Sequence, residues 1–221
     1  MKKVILKLTA FTMLVGTTIS VSAQSANSIN VVTTAVPFLR ISPDARSGGM
    51  GDVGIATIPD ANSIFWNLAK VPFAKSNSAI ALTYTPWLTG LGLNDVYLIS
   101  AAAYGKIDEN QAISGSVRYF SLGNIQFTDN SGNDLQTYRP REFSIDGGYS
   151  RKLSEKLGLG IALRYITSNL ASGQSSSGST YKTGTSVAGD VSLFNDGSQG
   201  GTVSGLNWGV AITNLGTKIC Y

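Results

Sequence analysis

Gly49-x-Gly51-x-x-Gly54 has the spacing of a dinucleotide-binding turn. That chemistry needs a buried strand before the glycines and a helix starting among them, so that backbone amides point at a pyrophosphate. Here "RISPDARSG" precedes the glycines and "IATIPDA" follows, with Pro59 set against a helix. The glycines therefore read as tight backbone turns, and no cofactor is expected. "STYK" and "KTG" resemble two penicillin-binding motifs, but they overlap at Lys182 where that chemistry needs them far apart. The carboxylates of Asp108 and Glu109 fall in a solvated turn. With no His and a single Cys, Cys220, the chain offers neither histidine-based catalysis nor a zinc site, and no calcium loop is present. No catalytic residue and no metal ligand is expected.

One further stretch stands apart, "PDANSIFWNLAKVPF". Pro59 and Asp60 offer a turn and a helix N-cap, with Ser63 next in the first turn. Ile64, Phe65, Leu68 and Val71 then share a face of a short helix that Pro72 ends. A short apolar helix ahead of a β domain reads first as packing, a plug of the domain's interior, and second as a gate or ligand contact. Asp60, Asn62, Phe65, Trp66 and Asn67 are its candidate interaction residues.

The elements that would position it are strands. After Ala79 apolar and polar side chains alternate: Ile113, Val117 and Tyr119 against Ser114, Ser116 and Arg118; Phe143, Ile145 and Tyr149 against Ser144, Asp146 and Ser150; Leu157, Leu159, Ile161, Leu163 and Tyr165 against Gly158, Gly160, Ala162 and Arg164; Val187, Val191 and Leu193 against Ala188, Asp190 and Ser192. About seven strands of roughly ten residues are expected, starting near Ser78, Asn94, Gln111, Arg141, Lys156, Lys182 and Gly205. Strands this long, with one apolar face and one polar face, suit a bilayer. Tyr104, Tyr119, Tyr149 and Tyr165 read as interfacial aromatics on the apolar face. Short connections at "GKIDENQ" and "RKLSEK" alternate with long polar ones, Ser121 to Pro140 and Leu170 to Gly184, the pattern of an outer-membrane barrel. A secreted β-sandwich is the alternative.

The N-terminus supports export. Lys2 and Lys3, the apolar run Val4 to Val21 and the small-x-small close Val21-Ser22-Ala23 read as a signal peptide over residues 1–23, with a membrane anchor as the alternative. The net charge is +4, but Lys2, Lys3 and Lys7 all lie in that leader, so the mature chain is nearly neutral and offers no basic face for nucleic acid. The organisation expected is a leader at 1–23, an N-terminal plug segment at 24–77 and barrel strands at 78–221.

"ARSGGMGDVGIATIPDANSIFWNLAKVPF" resembles the N-terminal hallmark of the PorV (LptO) family, outer-membrane proteins of the type IX secretion system. "VVTTAVPFLRISPDAR", "VYLISAAAYGKIDENQAISGSVRYFSLGNIQFTD" and "LNWGVAITNLGTKI" carry the resemblance along the mature chain. It departs at Leu68, where the family reads proline between Asn67 and Ala69. The resemblance implies a transmembrane antiparallel β-barrel of the fatty-acid-transporter (FadL) type with a lumenal N-terminal segment, of which this chain supplies about half the strands. A truncated N-terminal portion is one expectation, an eight-strand closed barrel the other. It further implies a cell outer-membrane location and partners: outer-membrane lipid, the C-terminal signal domains of secreted cargo, the secretion translocon and the sortase complex. Cargo would be bound at the translocon and carried to surface attachment. The alternatives are a transporter of hydrophobic small molecules and a lipid A deacylase, for which the sequence offers no nucleophile–base pair.

Overall fold

The computed structural model describes residues 36–128, 132, 134–170, 175–176, 179–180, 182–198 and 205–219. The leader, residues 24–35 and Cys220 lie outside them. The strands are β1 (Ser78–Pro86), β2 (Val96–Lys106), β3 (Gln111–Leu122), β4 (Ile125–Thr128), β5 (Asp134–Tyr138), β6 (Arg141–Lys152), β7 (Leu157–Asn169), β8 (Ser175–Ser176), β9 (Ser179–Thr180), β10 (Gly184–Asn195) and β11 (Trp208–Gly216). Seven of them form one antiparallel sheet in the order β1-β2-β3-β6-β7-β10-β11, with β1 and β11 as its edges. This all-β sheet is part of a barrel wall, and its seven strands start within three residues of the positions read from the alternation. The pairs β4–β5 and β8–β9 are separate ribbons inside the two long connections.

Each wall strand has an inner and an outer face. In β7, Ile161, Leu163 and Tyr165 are exposed on the outer face while Ala162, Arg164 and Ile166 are buried on the inner one. The same parity sends Ile80, Leu82, Ile113, Ile145, Val187 and Val210 outward. Tyr104 breaks the expectation. It lies on the inner face of β2, 6% exposed, and its hydroxyl donates to the carbonyl of Ser76 at 3.1 Å. Strand β2 is apolar on both faces, so alternation alone does not orient it.

The connections also depart from the simple pattern. Residues 107–110 and 153–156 are short turns at one end of the wall, but 196–207, at that same end, is long.

What covers the inner face is the segment 36–77. It begins with a 3-10 turn, Pro37–Arg40, whose Pro37 stands in the first turn where no amide donor is needed. The one-turn helix Ala45–Gly49 follows, capped by Asp44, whose carboxylate accepts the Ser47 amide at 2.7 Å. A second one-turn helix, Ser63–Trp66, is followed by the 3-10 stretch Leu68–Phe73. The expected single helix is thus two pieces: Asn67 between them is extended, at φ −157° and ψ 98°. Pro72 sits inside the 3-10 stretch and does not end it.

Three apolar clusters join this segment to the wall. Phe38 is fully buried among Val96, Leu98, Phe120, Ile166 and Ala188 and stacks on Phe120 at 6.4 Å. Ile64, Leu68 and Val71 pack with Ala102, Tyr104 and Ala162. Phe73 meets Phe194 edge-on at 5.7 Å beside Ala69. Side chains of this kind contribute about 1.5–3 kcal/mol each on burial, ample to hold a short segment in place. Ala162, on the face read as polar, belongs to this core and is 6% exposed, so an arginine there would have to displace the packing around Leu68.

Candidate functional site

The stretch Leu68–Phe73 lies on a lane of inner-face glycines. A Cβ at Gly160 would stand 2.6 Å from the Ala69 amide nitrogen, and one at Gly158 2.4 Å from the Ala69 carbonyl oxygen. At Gly148 it would meet the Leu68 side chain at 2.4 Å. The small residues on the polar face of β6 and β7 therefore make room for another backbone. Leu68 fills the hollow over Gly148 and is buried. Hydrogen bonds fix the same seat. The Ala69 amide donates to Ser192 Oγ at 3.2 Å and to Asn67 Oδ1 at 3.0 Å. Asn67 Nδ2 donates to the Leu193 carbonyl of β10 at 2.8 Å and to Ile55 at 3.1 Å. Asn67 is 1% exposed, and these bonds to distant carbonyls explain why the chain leaves the helix there.

The other candidates divide between two places. Asp60 accepts from the Asn62 amide at 3.1 Å and Ser63 Oγ at 3.2 Å, and pairs with Arg46 at 3.4 Å near the surface. Asn62 itself occupies the helix N-cap, without a side-chain cap. The expected N-cap role of Asp60 is thus replaced by a turn two residues earlier. Phe65 and Trp66 are half-buried and line a cavity of about 480 Å³ together with Ile41, Ile55, Arg118 and Asn214. Trp66 Nε1 donates to Asp44 Oδ2 at 2.8 Å, and its ring lies where a Cβ on Gly54 would be. The Gly49-x-Gly51-x-x-Gly54 run thus serves a turn, Gly51 at φ +75°, and this aromatic contact.

Beneath the cavity is a buried charge network that the alternation had placed on the polar face without joining it up. Asp146 on β6 is paired with Arg164 on β7 in register, and Arg164 Nε donates to it. Ser116 Oγ donates to Asp146 at 2.8 Å. Arg164 Nη2 reaches Asp190 at 2.8 Å and its Nη1 donates to Asn214. A register shift between Gly189 and Val191 brings Asp190 into this position, and its second oxygen accepts the Asn214 amide at 2.7 Å. Arg118 joins more loosely, 3.8 Å from Asp146. Its Nη1 donates to the Leu39 carbonyl at 3.3 Å, and its guanidinium stands 5.1 Å from the Phe65 ring centroid. Two arginines and two aspartates balance in charge, and Arg118 ties them to the inserted segment at two points.

Three residues that sequence reasoning passed over belong to this site. Phe38 and Asp44 were read only as part of a resembling stretch. Lys70 is 1% exposed and donates to the Gly54 carbonyl at 2.6 Å and Thr57 Oγ1 at 2.9 Å. Burial pushes its pKa down to about 8, opposed by the Asp60 carboxylate. Among the described residues no group of three or more acidic or cysteine side chains could hold a metal. What the arrangement offers is an inner face covered by the inserted segment except at the Phe65–Trp66 cavity, held by packing and by ion pairs whose carboxylates are already engaged by donors.

Comparison with curated proteins finds no match. The family model for "Type IX secretion system protein PorV" matches residues 23–221, nearly the whole chain. The protein belongs to the PorV family of type IX secretion system proteins.

Proposed function

We propose that this PorV-family protein sits in the outer membrane, binds the C-terminal signal domains of secreted cargo and passes them from the translocon to the surface-attachment complex. In this reading residues 1–23 are the export leader, 24–77 the plug and 78–221 the wall, and the work is binding, not chemistry. The observation that supports it most is the sidedness of the wall: an exposed apolar outer face, with Ile80 84% and Leu163 70% exposed, against an inner face on which the segment 36–77 packs. A continuous apolar exterior of this kind suits lipid. Placing arginine at Ile161 is expected to oppose insertion by about 2–4 kcal/mol if the position lies near mid-bilayer. Assembly of Ile161→Arg into outer membrane at the level of the unaltered protein would count against this orientation.

The long connections Ser121 to Pro140 and Leu170 to Gly184 are the proposed cargo-receiving surface, because they emerge at one end of the wall and binding residues concentrate on such loops. Ser121 itself is buried and belongs to β3, so the surface starts beyond it. Capture of secretion-signal domains by the full-length protein, with and without residues 125–138 and 175–182, tests this. Cargo recovered only with the loops present is the expected result. Equal recovery without them moves the contact elsewhere. No cargo, with uptake of hydrophobic small molecules instead, replaces this reading with a transporter whose pocket is the cavity at Phe65 and Trp66.

A further inference from the structure

The β1–β2 connection lies at the same end of the wall as the long loops, but its chemistry is the opposite of theirs. From Ser76 to Asn94 the chain has no charged residue. Trp87, Leu88, Leu91 and Leu93 are all exposed, Leu91 at 76%. The turn is compact: the Trp87 amide still pairs with the Val96 carbonyl at 2.9 Å, and the Leu91 and Gly92 amides close on Leu88 and Thr89 at 3.0 Å. Leu88 is left-handed, at φ 60° and ψ 21°, a conformation that favours Gly or Asn. A bulky apolar side chain is thus kept in a strained position on a surface loop, the kind of outlier that points to a use.

Just below the turn, Tyr84, Tyr97 and Tyr119 form a row across the outer faces of β1, β2 and β3, with ring centroids 5.5 and 6.3 Å apart. Such rows mark the level where a barrel meets lipid headgroups. The apolar turn continues the outer face through Leu82 and Tyr84 without an intervening charge.

We propose that Trp87–Leu93 is a lipid anchor, buried in the headgroup–acyl boundary of the outer leaflet, which fixes the depth of this edge of the wall. The proposal rests on the outer-membrane reading above. In a Cys220→Ser background, single cysteines at Leu91, Leu82 and Lys182 are labelled with bimane, and the full chain is placed in phosphatidylcholine vesicles containing brominated acyl chains. Quenching at position 91 is expected within about twofold of that at 82 and roughly fivefold or more above that at 182. Quenching at 82 but not at 91 puts the turn in water and overturns the anchor while leaving the wall orientation intact. Quenching at neither position overturns both. Leu93→Cys repeats the measurement if Leu91→Cys fails to assemble. Position 91 unquenched in vesicles yet crosslinked to another protein in cells would make the occupant a protein and overturn the lipid assignment.

Discussion

Asp146→Ala is expected to destabilise the folded chain by about 3–5 kcal/mol, because it leaves two buried guanidinium groups facing one remaining carboxylate. Arg164 would keep Asp190, but Arg118, with its side chain 4% exposed, would retain only the Leu39 carbonyl and the face of Phe65. Asp146→Ala combined with Arg118→Met restores one cation against one anion, so the double variant should be more stable than Asp146→Ala alone. Coupling between groups in one network is commonly about 0.5–3 kcal/mol, large enough to resolve. Urea unfolding of the full chain in detergent micelles measures all three proteins. A loss below about 1 kcal/mol for Asp146→Ala would mean that water reaches the network and that it does not sit in a closed interior.

Gly160→Val should dislodge the inserted segment. The added Cβ would stand 2.6 Å from the Ala69 nitrogen and 2.9 Å from the Leu68 carbonyl carbon, and both are backbone atoms that cannot rotate aside. Overpacking of this kind costs about 1–3 kcal/mol, and more where the backbone must move. Gly147 supplies the control on β6, since a Cβ there meets nothing within 4 Å. Hydrogen exchange at the Ala69 amide, bonded to Ser192 and Asn67, reports the seat itself. It should accelerate in Gly160→Val and stay slow in Gly147→Ala. Equal exchange in both would remove the glycine lane from the account.

How much of this was legible in the residues follows from where local pattern suffices. The wall was legible. A period of two runs through β3, β6, β7 and β10, and the exposed Ile113, Ile145, Ile161 and Val187 all stand where alternation puts them. It failed for Tyr104, because β2 carries apolar residues on both faces and the inserted segment packs against the inner one. The break at Asn67 was not legible either. Its cause is a side-chain bond to Leu193, 126 positions away, and no local propensity encodes that. Asp146, Arg164, Arg118 and Asp190 were each placed on the polar face, but their union into one network depends on strand register and on the shift beside Asp190. Phe38 carried no pattern of its own. Three turn residues around a single phenylalanine look like a loop until Phe120 and Leu98 are brought against it.

The central claim is that residues 36–77 are seated inside the wall, and one crosslink tests it most directly. Leu68 Cδ2 lies 2.4 Å from where Gly148 would place a Cβ, so the Leu68 side chain points at this position and a pair of cysteines here is in reach of a short bis-thiol reagent. In the full chain, assembled in outer membrane and carrying Cys220→Ser, Leu68→Cys with Gly148→Cys should crosslink nearly completely. Pairing Leu68→Cys with Gly147→Cys, which points to the opposite face, should give none. Crosslinking with Gly147→Cys, or with neither position, would contradict the account.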